Sequence, residues 1–557
     1  MKTYYLFIVL AVLPIFGYSQ SILPSVDEYY FRSLQISGIT NSVQSFQLRP
    51  YVVHEKSSGS HPWELVYENK EEPLFSDFRV NIQLYEPVLF QSYNTTLPRG
   101  NQDGAIWQGK GYNNAFSTGI KASVGLLHVR FRPVFGFTQN LSYELSPFLI
   151  PDIRTGNGRV PGNEFMYRDF RGSIDYVQRF GDSSYSWFDL GDSSIEMQYS
   201  GIRLALSNSH IWSGPGNHTS LQFGYSAPGF RHLYLGTTKP LQTAAGNIEF
   251  AYIFGKTKES EFFTPDREIE SQSVNSLVFV YTPWFTNRFS IGAVRTYFHT
   301  YPESFSEYRT QVKKLFETGL RESLTDNGEP RGHDPDNQIA SVFFRYFIPE
   351  HGFEIYAEYG RNDHNSDWRD FRGQPNHHRA YTLGLMKTAS LSKNRLLSVN
   401  VEINQLEAMR TALTRGNQHL GGWYTHGNQV LGFTNDGQIM GSGYGPGVNM
   451  QSARVDLFDP GGGLSLKMAR ITYHNSRLDQ YFDIIQAANS KKVERWEVRN
   501  VEFMIGAGLT LFLKRGVEVS MNIDQSIILN QDYIKGNDLT NTRFQLVMRK
   551  QLSGWRR

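Results

Sequence analysis

The chain has 557 residues, 55 Lys and Arg against 53 Asp and Glu, a net charge of +2 and no Cys. Charges so balanced and interspersed exclude a dedicated nucleic-acid binder, whose phosphate contacts need a concentrated basic surface. A chain without Cys carries neither disulfide nor lipid-anchored Cys, so backbone pairing or a core must hold it together.

Residues 1–19 have the layout of a cleavable export signal. Lys2 supplies the charge, Leu6 to Phe16 an apolar run, and Gly17 and Ser19 the small residues before a mature start at Gln20. After residue 20 no stretch offers the roughly 20 apolar residues of a membrane helix. Aromatics reach 14% with 31 Tyr and 39 Phe, yet mean hydropathy is −0.42. Aromatic-rich but polar on average is the composition of a transmembrane β-barrel, with one strand face toward lipid and the other toward a polar lumen. The expected organisation is an N-terminal periplasmic or plug segment over 20–75 and an outer-membrane barrel over 76–557.

Period-two alternation begins with Val80, Ile82 and Leu84 against Arg79, Asn81 and Gln83. It returns over 195–206 and 221–226, at Phe353, Ile355, Ala357 and Tyr359, at Leu397 to Ile403, and at Val517 to Ile523. Short turns pair these strands: 283–287, Pro349 to Gly352, Ser390 to Asn394, and Lys514-Arg515-Gly516. Long polar connections separate the pairs, over 300–338, 361–378, 405–463 and 475–495. Short turns on one side and long loops on the other predict an all-β, antiparallel transmembrane barrel with extracellular loops. A β-sandwich would need a second sheet over each apolar face and shows no such asymmetry. Helical spacing at 302–324 and 477–487 predicts two short helices, packed over the barrel mouth or inside a loop. A final strand at Phe544 to Met548 lies close to the C-terminus, which reads Gly554-Trp555-Arg556-Arg557 rather than ending on an aromatic.

No catalytic signature, metal-ligand spacing or cofactor motif stands out, so neither cofactor nor metal is expected. The oxygen-rich His333-Asp334-Pro335-Asp336-Asn337 reads as a solvated turn, because no full calcium ligand set follows. The more informative segments carry Trp and Gly. Trp212-Ser213-Gly214-Pro215-Gly216 allows a tight backbone path, with Trp212 as either the plug of a corner or a binding residue. Arg361, Asp363, Trp368, Arg369 and Asp370 fall in one long loop, and Trp423 and Tyr424 in the longest. Aromatic faces beside Arg and Asp suit sugars, which stack on rings and hydrogen-bond through hydroxyls. Loop aromatics packing on each other is the alternative.

The Ile211 to Gly216 block with Leu221-Gln222-Phe223-Gly224-Tyr225-Ser226 resembles the Trp-Gly-Pro-Gly region of Wzi-type capsule assembly proteins, Ser213 replacing the usual Gly. Tyr29 to Gly38, Glu358 to Asp363 and Arg379-Ala380-Tyr381 are also similar to that family. The resemblance implies a plugged outer-membrane barrel of about eighteen strands that holds capsular or extracellular polysaccharide at the cell surface without catalysis. It implies the polysaccharide, outer-membrane lipids and the barrel-assembly machinery as partners. A porin-like channel for sugars or other solutes and a barrel-embedded hydrolase are the rival readings.

Overall fold

The computed structural model describes residues 26–49, 61–64, 75–77, 80–100, 102–146, 165–167, 174–263, 271–316, 337–362, 372–373, 375–376, 378–407, 423–426, 429, 431–475, 478 and 482–551. The export-signal reading over 1–19 lies outside them.

Eighteen antiparallel strands close into one barrel. In chain order they are β1 (Val80–Asn94), β2 (Gly111–Val124), β3 (Leu127–Phe131 with Val134–Thr138), β4 (Tyr185–Asp189 with Ser194–Tyr199), β5 (Ile202–Ser207) and β6 (Arg231–Thr237 with Leu241–Thr243). There follow β7 (Gly246–Lys258), β8 (Ser271–Pro283), β9 (Phe289–Thr300), β10 (Asn337–Ile348), β11 (Phe353–Asn362) and β12 (Arg379–Ser392). The circuit ends with β13 (Arg395–Gln405), β14 (Asn449–Asp459), β15 (Gly462–Thr472), β16 (Val501–Leu513), β17 (Val517–Leu529) and β18 (Leu539–Lys550). β18 pairs back onto β1, with Arg543 opposite Asn94 and Arg549 opposite Val88, so the sheet has no open edge. Every second connection is a short turn and the others are long loops.

The alternation read from the sequence sorts the two faces of this wall. On β13, Ser398, Asn400, Glu402 and Asn404 are buried in the lumen while Val401 and Ile403 face out. The same phasing leaves Leu206, Val342, Leu466 and Ile505 exposed on the outside, an apolar band that water would not tolerate and lipid covers. Among the described residues no helix is long and apolar enough to cross a membrane; the strands do so.

Three expectations are corrected. The connection expected over 405–463 is shorter, because β14 and a two-residue turn into β15 occupy its last part. Asn449, Gln451 and Arg454 put polar residues on both faces there, which hides the period. The alternating 221–226 stretch is not a strand: it is irregular chain inside the lumen, with Leu221 and Phe223 fully covered. The stretch 195–206 is two strands, joined by a turn at Ser200-Gly201.

Helix α1 (Val26–Ile36) lies at the short-turn end of the lumen. Its Tyr29, Tyr30 and Leu34 pack with Trp63 on the inward-facing Phe347, Met386, Leu396 and Phe458. Tyr30 stacks on Trp63 at 4.1 Å, and Trp63 Nε1 donates to Gly462 O at 2.9 Å. The two expected loop helices are α2 (Phe305–Lys314) and α3 (Phe482–Ala488).

Candidate functional site

After β5 the chain turns into the lumen instead of running over the rim. Trp212 and Ser213 pair antiparallel with Arg49 and Leu48, fixing the segment beside the N-terminal chain. Gly214 follows at φ +97, where a Cβ would meet Glu358 Oε2 at 2.4 Å, so both backbone and space require glycine. Pro215 offers its carbonyl to Arg32 Nη1 at 2.7 Å, and Gly216 its carbonyl to Arg49 Nη2 at 2.5 Å. The next three amides then converge on one carboxylate. Asn217, His218 and Thr219 donate their N–H groups to Glu402 at 2.7, 3.1 and 3.0 Å, and Tyr356 donates its hydroxyl at 2.7 Å. Burial makes that acceptor matter, because three unpaired amides in the lumen would each be costly.

Below it, Arg32 and Arg345 clamp Glu354, with Nε distances of 2.9 and 2.6 Å. Arg32 also reaches Asn217 Oδ1 at 2.9 Å, tying α1 to the inserted loop. A carboxylate with two guanidiniums is stable when buried only if the remaining N–H groups find acceptors, and the loop carbonyls supply them.

The four described sugar-binding candidates read from the sequence, Trp212, Arg361, Trp423 and Tyr424, do not meet in one place. Trp212 is 1% exposed, beneath the Arg49 guanidinium at 4.7 Å and beside Tyr225 at 5.3 Å. Trp423 and Tyr424 are 2% and 0% exposed. Trp423 packs over Gly360, and Tyr424 donates to Leu221 O and accepts from Ser442 N, both at 2.9 Å. These three rings give their faces to protein, and they anchor the two inserted loops to the lumen wall. Arg361 lies on the outward face of β11 near its long-loop end, opposite Arg379 on β12. Asp363, Trp368, Arg369 and Asp370 lie outside the described residues.

The structure gathers a different set. At the long-loop mouth a cavity of about 200 Å³ is walled by Tyr143, Tyr167, Tyr176, Tyr444, Tyr473 and Tyr533, with Arg99 and Asp532. Six connections contribute: 95–110, 139–184, 208–230, 406–448, 473–500 and 530–538. Tyr167 and Tyr176 stack at 4.8 Å. Arg99 bonds Glu502 at 3.1 Å, and Tyr473 donates to the same carboxylate at 2.6 Å. Tyr444 lies parallel to His218, with 2.9 Å between hydroxyl and Nε2. Burial pushes the His218 imidazole down to about 4, so it is neutral at physiological pH. Burial likewise raises the Tyr176 and Tyr444 hydroxyls, which remain protonated donors. Asp175, next to Tyr176, is pushed up to about 7 by burial, against the Ser260 bonds that favour its charged form.

A second cavity of about 260 Å³ continues down the β14–β18 side and is lined by Trp212, His218, Arg454, Lys467, Asp524 and Arg543 among others. Both cavities share Arg99, Gln102, Asp103 and Tyr444. The mouth offers ring faces, neutral hydroxyl donors, a guanidinium and carboxylates, the groups that grip a polyhydroxylated ligand. Among the described residues no cluster of His, Asp and Glu could hold a metal. Of this set, Tyr444 sits in a distinctive local run, Gly443-Tyr444-Gly445-Pro446-Gly447. The remaining tyrosines come from loops far apart in the chain and carry no local signal.

Known proteins match this architecture. The family model described as "Capsule assembly protein Wzi" matches residues 154–543. A similar solved structure is Wzi of Escherichia coli, described as an outer membrane protein involved in Group 1 capsule assembly and a carbohydrate-binding β-barrel. It is 12% identical, covers 95% of this chain and 98% of its own, and has a TM-score of 0.59. OccK2 (OpdF) of Pseudomonas aeruginosa is 9% identical over 84% of this chain and 96% of its own, with a TM-score of 0.38. A BenF-like porin of Pseudomonas fluorescens Pf-5 is 9% identical over 85% and 98%, also at 0.38. No curated protein matches the chain.

Proposed function

The chain belongs to the Wzi capsule assembly family and is an outer-membrane protein, and from that premise we propose that it holds capsular or extracellular polysaccharide at the cell surface without catalysis. The observation that carries this reading is the tyrosine-walled mouth, whose lining combines six tyrosines with Arg99 and Asp532. Sugar rings stack on the tyrosine faces, while the hydroxyls, guanidinium and carboxylate bond the sugar hydroxyls. Trp368 and Arg369 are further contacts of the polysaccharide in this reading. The N-terminal segment over 20–75 closes the periplasmic end, and the barrel-assembly machinery and outer-membrane lipids are the remaining partners.

Paired Tyr176→Ala and Tyr444→Ala changes test it on whole cells. Surface-retained polysaccharide should fall about tenfold, the size of losing a stacking contact or two, while the barrel keeps its folded electrophoretic mobility. Unchanged retention in folded protein would reject the site. The shared lining of the two cavities favours a second reading, a narrow channel for small solutes. Planar-bilayer conductance separates them, since the anchor passes little current.

A further inference from the structure

Helix α2 does not sit over the barrel mouth or in the lumen: it lies on the outside of the wall. Register shows this. On β8, Gln272, Val274, Ser276 and Val278 share the lumen face with Thr257, Gly255, Ile253 and Ala251 of β7, so Ser273 and Asn275 point outward. Those two residues hold the helix. Ser273 Oγ bonds Gln311 Oε1 and Asn275 Nδ2 bonds Gln311 O, both at 2.8 Å. The outward Phe254 meets the Tyr308 ring edge-on at 4.7 Å, and the outward Tyr252 bonds the Tyr308 hydroxyl at 3.2 Å. Arg295, outward on β9, donates to Leu315 O at 3.0 Å and pins the helix end. The start is fixed as firmly: Ser304 caps the Glu307 amide at 3.2 Å, and Glu307 reaches back to the Glu303 amide at 2.9 Å.

With Tyr308, Gln311, Val312 and Leu315 against the wall, Phe305 and Phe316 stand out on the flank of the helix, 74% and 72% exposed, Phe305 lying tilted beside the Tyr308 ring at 5.9 Å. Two large rings held out on a well-anchored helix are unexplained by packing. Their height on the wall explains them. Trp284 and Phe285, 73% and 69% exposed, mark the aromatic girdle at the short-turn end of β8. Roughly ten residues of tilted strand cross the apolar core, which puts the opposite interface at Ser273 and Asn275. The helix therefore lies in the plane of the outer-leaflet interface. Basic side chains stand at both ends of it. Arg231 and Lys256 are exposed, paired across β6 and β7, with Lys256 Nζ 4.8 Å over the Tyr301 ring that leads into the helix. Arg309 and Lys313 are exposed on the helix itself. The Glu307 carboxylate is occupied in the N-terminal cap, where it accepts from the Glu303 amide and the Ser304 hydroxyl.

We propose that α2 and the wall around it form a docking surface for a phosphorylated outer-leaflet lipid, its acyl chain against Phe305 and Phe316 and its headgroup phosphate against Arg231 and Lys256. Placing rings at acyl depth and cations at phosphate depth satisfies both halves of such a lipid at once. The site is independent of the saccharide reading, since it faces outward and shares no residue with the mouth.

The absence of native Cys permits a direct test. Phe305→Cys, Phe316→Cys and, as an aqueous loop reference, Lys491→Cys each receive a bimane label in proteoliposomes. The two helix labels should be quenched by lipid-borne nitroxide and shielded from iodide about fivefold relative to the loop label. Iodide quenching equal to that at Lys491→Cys would overturn the proposal. For the headgroup, the full-length protein is melted in phosphatidylcholine vesicles with and without diphosphoryl lipid A. The expected result is a salt-sensitive rise in Tm for the native chain and none for R231Q/K256Q. An equal rise in both, or the same rise with inorganic phosphate alone, would also overturn it.

Discussion

The two sides of the lumen are built on opposite terms. Between β5 and β13 the space is filled by the 208–230 and 423–448 segments, whose Leu221, Phe223, Tyr424 and Phe433 pack with Ile253, Val294 and Phe343 of the wall. From β14 round to β1 the wall presents Arg454, Lys467, Asp524, Arg543 and Glu502 to two connected cavities. The filled side holds its polar groups in closed sets, such as Glu402 with three amides and Tyr356. The other side keeps its charges in reach of solvent-filled space. A plug and a binding cleft are thus produced by one barrel, because inserted loops cover the apolar half of the lumen wall and leave the charged half open.

Several changes break or sharpen this contrast. Glu402→Ala leaves the Asn217, His218 and Thr219 amides buried without an acceptor and should lower unfolding stability by about 4 kcal/mol. A denaturant titration measures it, and conductance should appear as the plug loosens. Gly214→Val forces a β-branched residue to φ +97 with its Cβ on Glu358 and should cost about 3 kcal/mol, read the same way. On the cavity side, Tyr473→Phe removes one bond to Glu502 while keeping the ring, and should cost about 1 kcal/mol in the same titration without opening a current.

Asp175 gives a pH test at the edge of the mouth, where it accepts the Ser260 amide and hydroxyl, both at 2.6 Å. Its carboxyl is raised to about 7 in the folded chain, above the ordinary 3.8, so the folded state holds the proton more tightly. Because burial dominates over the Ser260 bonds, the fold around Asp175 should be most stable at low pH and lose stability as pH rises from near 4 to about 7. Hydrogen exchange at the Ser260 amide, corrected for intrinsic rate, should show the change, and Asp175→Asn should flatten it. The smallest effect is expected for Trp368→Ala with Arg369→Ala: about threefold less retained polysaccharide, by cell-surface staining, and an unchanged Tm.

Much of the barrel was legible because its signals are local. Val399, Val401 and Ile403 against Ser398, Asn400 and Glu402 state a two-faced strand within six residues, and the turn at Pro349 to Gly352 states a tight reversal. β14 escaped because its first half is polar on both faces, and the 221–226 chain mimicked a strand because its alternate Leu221, Phe223 and Tyr225 are buried by an irregular path through the lumen. The helix spacing of 305–314 was legible too, but not the side of the wall it takes, which the register of Ser273 and Asn275 decides.

What the sequence determined alone is therefore the wall: its strands, its sidedness, and the positions where Gly214 and Pro215 bend the chain. What the tertiary structure decided is the filling of the lumen. Trp212 reads identically in sequence whether it meets sugar or the Arg49 guanidinium, and Glu402 is an ordinary strand carboxylate until loop amides some 185 residues away fold onto it. Strand patterning depends on neighbours two residues apart, whereas burial of charge depends on partners from other strands and loops. Only closure of the barrel brings those partners within hydrogen-bonding reach.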